Sequence, residues 1–265
     1  RQQLQFFTEI SLCCTSDAPA ALTQVDAVQI HLHYTLLVIL LFVLYGTEDL
    51  QHLTANSYIV NEAGCYRFVS TKGNSTESVG AVYSVETLWE TFGTDVTPSV
   101  GDLIKAVEYQ NGWVVFETPG AFREGNAVVA AKDASGNILW SWHLWFTDEP
   151  KGQVYHNEAG SLMDRNLGAV SKVKDDPGSS GLMYQWGRKD PFPERSSLDL
   201  STRLIFNSVT SDSICGTIEY SIANPTVYII NSHSDNYDRY YNTTYYLYET
   251  DNTRWQSVKT MYDPC

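Results

Sequence analysis

Six histidines, five cysteines and 31 acidic residues supply what chemistry this 265-residue chain could do, and their spacing narrows it sharply. His143 and His156 are thirteen residues apart with no third ligand at a zinc-like spacing, so a metal site is not expected. Cysteines stand at 13, 14, 65, 215 and 265 without a CxxC pair, and their odd number leaves at least one unpaired within the chain. Cys65, Cys215 and Cys265 lack the surroundings of an activated nucleophile. Glu158 and Asp164 are the nearest carboxylates for glycoside hydrolysis, which needs about 5–10 Å between the two groups, a distance sequence does not fix. Asp175 and Asp176 offer oxygen ligands for calcium, but not at EF-hand spacing, and a solvated acidic loop is the simpler reading. No GxSxG, HExxH, P-loop or GxGxxG is present. No catalytic residue, metal or cofactor is therefore assigned, and the expectation is a chain that binds or scaffolds.

Binding chemistry is better represented. The chain has 17 Tyr and 7 Trp, residues that favour strands and also supply stacking surfaces. Tyr184–Phe192 combines them with polar groups, and Met163–Ala169 adds a polar phrase without a Tyr or Trp. The candidate ligand-binding set is Asn166, Tyr184, Trp186, Arg188 and Asp190. The two aromatics would stack on sugar rings, and the other three would hydrogen-bond to hydroxyls. Against this stands a structural reading: Arg165, Arg188 and Lys189 with Asp164 and Asp190 make internal ion pairs in a loop-rich fold. Tyr237–Tyr248 is a second aromatic candidate that equally fits a solvent-facing ladder. A net charge of −14 with 17 basic residues argues against nucleic acid and against docking on anionic lipid.

The elements that must position these residues are strands. Asn111-Gly112 between Leu103–Gln110 and Trp113–Thr118 is a hairpin signal, since both turn residues must take positive φ. Asp133–Gly136 separates a second pair, Asn126–Lys132 and Asn137–Phe146. In that last strand Trp140, Trp142, Leu144 and Phe146 share one apolar face, expected to be core. Ser141, His143 and Trp145 share the other, where His143 reads as a hydrogen-bonded histidine at a domain contact. Ser84–Phe92 fits helix or strand spacing and is read as a strand, with Trp89 as a core tryptophan. With Ser57–Val60 and Tyr66–Ser70, about seven strands fall within residues 54–149, the size of an immunoglobulin-like β-sandwich. Asp148–Gly152 is the expected boundary. Beyond it, Arg203–Ser208, Thr226–Ile230 and Thr244–Tyr248 read as short strands.

Residues 1–53 read differently. Thr35–Tyr45 is almost wholly apolar but short of the ~20 residues of a membrane span, so it fits a buried strand, a targeting segment or an anchor. Cys13 lacks the small preceding residue of a lipoprotein signal, since Leu12 stands there. The chain opens on Arg1 and closes on Asp263-Pro264-Cys265, which reads as a fragment of a longer protein.

The phrases ILWSWHLWFTD, MDRNLGA, YQWGRKDPF and the terminal KTMYDPC resemble the Fibrobacter-type major paralogous domain of fimbrillin-like surface lipoproteins of Bacteroides and relatives. The resemblance covers residues 54–265, most sharply 138–192. It implies export, anchoring at the outer membrane, and adhesion or fimbrial-tip assembly, with a glycan, a surface protein or other fimbrial subunits as partner. It also allows a C-type-lectin-like fold for an incomplete α+β domain at 150–265. The expected fold is thus mainly β: an uncertain segment 1–53, an immunoglobulin-like sandwich 54–149, and the truncated second domain. The alternatives are a glycoside hydrolase-like enzyme and a purely structural pilin-like subunit.

Overall fold

The computed structural model describes residues 48–50, 54–94, 96, 98–156, 160–193, 207–230, 253–256 and 258–264. Thr35–Tyr45, Glu158, most of Arg203–Ser208, Tyr237–Tyr248 and cysteines 13, 14 and 265 lie outside them. The described chain is mainly β.

Eight strands come first: β1 (Glu48–Asp49), β2 (Ser57–Val60), β3 (Cys65–Val69), β4 (Ser84–Thr91), β5 (Ala106–Gln110), β6 (Trp113–Glu117), β7 (Gly125–Lys132) and β8 (Ile138–Phe146). They form two four-stranded sheets, ordered β1-β3-β6-β5 and β2-β8-β7-β4. β1 runs parallel to β3, and β2 runs parallel to β8, with Ser57 opposite His143. The remaining neighbours are antiparallel. Asn111 and Gly112 take φ of 47° and 92° between β5 and β6, the left-handed pair that a two-residue hairpin requires.

Period-two alternation sends Trp140, Trp142, Leu144 and Phe146 into a core shared by the two sheets. Tyr58 of one sheet stacks on Phe68 of the other at 4.4 Å, and Phe68 meets Trp142 edge-on at 5.3 Å. Burying each such side chain contributes about 1.5–3 kcal/mol.

Ser84–Thr91 is a strand, but a register shift falls between Thr87 and Trp89. The extra residue reverses the facing of the rest of the strand. Val85, opposite Ala131, points into the shared core, whereas Trp89 lies opposite Val128, whose partner is His143. Trp89 is buried, but against the other face of its sheet.

Among the described residues after β8 are three short two-stranded pairs, a 3-10 turn (Pro177–Ser179) and one α-helix. β9 (Gly152–Val154) pairs with β10 (Ser161–Met163), β11 (Leu182–Tyr184) with β12 (Pro191–Pro193), and β13 (Ser208–Thr210) with β14 (Tyr228–Ile230). The helix α1 (Ile218–Ala223) starts at Thr217, whose hydroxyl accepts the Tyr220 N–H at 3.1 Å. Among the described residues no helix is long and apolar enough to cross a membrane. Residues Thr47–Cys265 form one compact unit. Among the described segments after Asp148–Gly152, residues around Gly168–Ala169 and Lys189–Asp190 bond to the outer face of the β8 sheet, whereas Ile222, Met261 and Tyr262 pack against the shared core.

Candidate binding site

The fastening begins on the polar face of β8. Ser141, His143 and Trp145 all point outward there and are all buried. The Trp145 indole donates to the Ala169 carbonyl at 3.2 Å, and the Asn126 amide donates to the Gly168 carbonyl at 2.9 Å. Asn126 Oδ1 therefore faces His143 Nε2 at 2.9 Å, which makes Nε2 the protonated ring nitrogen. His143 Nδ1 then accepts from the Ser57 hydroxyl at 2.9 Å. His143 is thus hydrogen-bonded as expected, through partners on the neighbouring strands β2 and β7 of its own sheet.

Burial pushes the His143 pKa from 6.5 down to about 3. Above pH 6.5 the ring is neutral in folded and unfolded chains alike. Below it the unfolded chain gains a proton that the folded chain refuses, so stability falls by about 1.4 kcal/mol per pH unit toward pH 3. His143→Gln is expected to flatten the slope of unfolding free energy between pH 6.5 and 5. An unchanged slope in urea titrations would place the titrating group elsewhere.

The YQWGRKDPF stretch completes the fastening. The Lys189 ammonium donates to the Ser141 carbonyl at 2.9 Å and to Asp190 at 2.6 Å, and it sits 4.5 Å from the Trp140 ring centroid. Burial pushes the Lys189 pKa down, against the pull of the Asp190 carboxylate. The Ser141 hydroxyl donates to Asp190 at 2.5 Å. Arg188 donates to the carbonyls of Val227 at 2.7 Å and Asn224 at 2.8 Å, and to the Gln185 side chain at 3.0 Å. It thereby caps the carboxyl end of α1. Gln185 acts as a strand surrogate, accepting from the Ile229 N–H at 3.1 Å and donating to the Ile229 carbonyl at 2.6 Å. Gly187, at φ 70°, lies under Arg254, whose Nε would stand 2.1 Å from an added Cβ.

The five candidate residues therefore separate. Arg188 and Asp190 are buried, with their polar groups turned onto neighbouring protein groups, so they are not presented to a ligand. Tyr184 is half-buried. Trp186 is half-buried beside Trp255, with ring centroids 5.1 Å apart and planes tilted by 54°. Asn166 is exposed on a different surface, where its amide donates to the Ser180 carbonyl at 3.2 Å.

That surface holds an open cleft of about 480 Å3, lined chiefly by Leu162, Met163, Asp164, Asn166 and Lys172. Its floor is Arg165, which bonds to Asp148, to the Thr147 hydroxyl at 3.0 Å and to Asp164 at 2.9 Å. Hydrogen bonding from Arg165 holds the Asp164 and Asp148 carboxyls below the usual range, and the two carboxylates push the Arg165 pKa up. Asp164 is therefore a poor proton donor for glycoside hydrolysis. The β9–β10 ribbon beside the cleft is exposed throughout and carries Val154, Leu162 and Met163, with Tyr155 following. Asp176 caps its own turn by accepting the Gly178 N–H at 2.8 Å. Among the described residues no three acidic, histidine or cysteine side chains gather as a metal site.

Sequence reasoning did not single out Leu162, Lys172 or Trp255. The apolar Leu162-Met163 pair beside a charged Asp-Arg was the available signal for the cleft. No family model, curated protein or solved structure gives a significant match to this chain.

Proposed function

We propose that this chain is a surface-exposed adhesion or fimbrial-assembly module that binds a glycan or a partner protein. The observation that carries the reading is the open cleft beside Asn166, with exposed Leu162 and Met163 of the β9–β10 ribbon on its lip. Exposed apolar patches beside a polar cleft are characteristic of interaction surfaces. The motif charges that do not line the cleft are spent on holding the scaffold, which leaves a rigid support. The runs β3-β6-β5 and β8-β7-β4 follow the B-E-D and G-F-C orders of an immunoglobulin-like sandwich, which supports that scaffold. The family phrases support export to the cell surface with an outer-membrane anchor upstream, and a lectin-like relationship for residues 150–265. The ribbon also favours a structural reading, since a short exposed strand pair is where an added strand from another subunit would join.

The test is binding of the full chain to a glycan array and to plates coated with mucin, collagen or fibronectin. A Leu162→Ser/Met163→Ser variant is expected to bind at least about tenfold more weakly with an unchanged melting temperature, because both side chains are exposed. Undiminished binding by that variant, or none by the parent on any surface, contradicts the proposal.

A further inference from the structure

Resting on the binding reading above, we infer that the Asn166 cleft takes a neutral saccharide and grips two adjacent hydroxyls between Asp164 and Lys172. Its volume of about 480 Å3 suits a mono- or disaccharide. Three charged residues line it, Arg165 and Lys172 against Asp164, and Asp148, outside the lining, pairs with Arg165, so the four charges cancel. A charged ligand therefore gains no net Coulomb attraction there, and it must lose its own hydration to enter.

The polar pair inside the cleft is built for hydroxyls. The Asp164 side chain is only 4% exposed and is fixed by Arg165, whereas Lys172 is half-exposed with its ammonium 3.6 Å from Asp164 Oδ2. That separation is too long for a hydrogen bond between them. Asp164 Oδ1 and Oδ2 each accept from Arg165, at 2.9 and 3.3 Å, and a carboxylate oxygen has room for a second donor, so this acceptor and the Lys172 donor stand side by side. One ligand hydroxyl can donate to Asp164 while its neighbour accepts from Lys172. Both bonds are charge-assisted, and neither requires a charged ligand. Asn166 stands in the same lining, anchored through its nitrogen on the Ser180 carbonyl, which leaves its amide oxygen to accept a further hydroxyl. Leu162 and Met163, 60% and 43% exposed, supply an aliphatic lip for the C–H face of a sugar ring. The cleft thus matches both faces of a pyranose, the hydroxyl edge and the apolar side.

Calorimetric titration of the full chain with cellobiose, lactose and mannobiose, and with digalacturonate and chitosan disaccharide as charged counterparts, tests this. A neutral disaccharide is expected to bind more tightly than either charged one. Lys172→Met and Asn166→Ala, both at exposed side chains, are expected each to weaken it about tenfold without changing the melting temperature. Unaltered binding by both variants, or tighter binding of a charged disaccharide, overturns the inference. If no saccharide binds, the inference also falls. In that case mucin, collagen or fibronectin binding that is lost in the Leu162→Ser/Met163→Ser variant keeps the module reading standing, and its absence removes that reading too.

Discussion

Replacing Asn56 with alanine is expected to destabilise the chain by about 3 kcal/mol or more. Asn56 is buried immediately before β2, and its side chain makes three hydrogen bonds. Its oxygen accepts from the Trp140 indole at 3.0 Å. Its nitrogen donates to the carbonyls of Met261 at 2.8 Å and Asp263 at 2.7 Å. Truncation leaves the fully buried Trp140 N–H and two carbonyls without this partner, each at a cost of about 1–3 kcal/mol. Urea denaturation should show a lower midpoint at unchanged slope. A loss below about 1 kcal/mol would mean that water takes over these bonds and that the terminal segment is only loosely attached.

The second large effect is expected at Arg188. Arg188→Met removes the guanidinium from the Val227, Asn224 and Gln185 acceptors and from beside Asp190, whose Oδ2 is 3.7 Å from Arg188 Nε. Breaking a buried charge network from one side costs about 3–5 kcal/mol. Arg188→Lys should recover only part of this, since one ammonium cannot span acceptors arranged for a planar fork. If Arg188 served a ligand instead, the methionine variant would keep its stability and lose only binding. The equilibrium unfolding curve of this variant separates the two roles.

The facing of β8 was legible because strand geometry is local. Trp140, Trp142, Leu144 and Phe146 turn to the core and Ser141, His143 and Trp145 to the outer contact by period two alone. The Asn111-Gly112 hairpin was legible for the same reason. The burial of Trp89 was legible but its facing was not, because the register shift after Thr87 reverses that facing and leaves no mark in composition. The candidate set mixed two roles that sequence does not separate. Asn166 and Arg188 are both polar residues in unusual phrases, but one lines a cleft and the other is sealed by backbone carbonyls more than thirty residues away. Asn56 escaped notice because its partners lie 84, 205 and 207 residues along the chain. Long-range polar bonds of this kind have no periodic signature.

Residues 165–192 and the β14 strand are expected to unfold with the β8 sheet as one cooperative body, so that their charges serve the fold and the cleft serves the ligand. Native-state hydrogen exchange tests it directly, because amides that open only with the whole body share its unfolding free energy. The amides of Ala169, Arg188 and Ile229 each donate to a protein acceptor at 2.9–3.1 Å and are expected to exchange with the same free energy as those of β8. Exchange of these amides orders of magnitude faster than in β8, at equal denaturant, would contradict the account and return Arg188 and Asp190 to the surface as ligand groups.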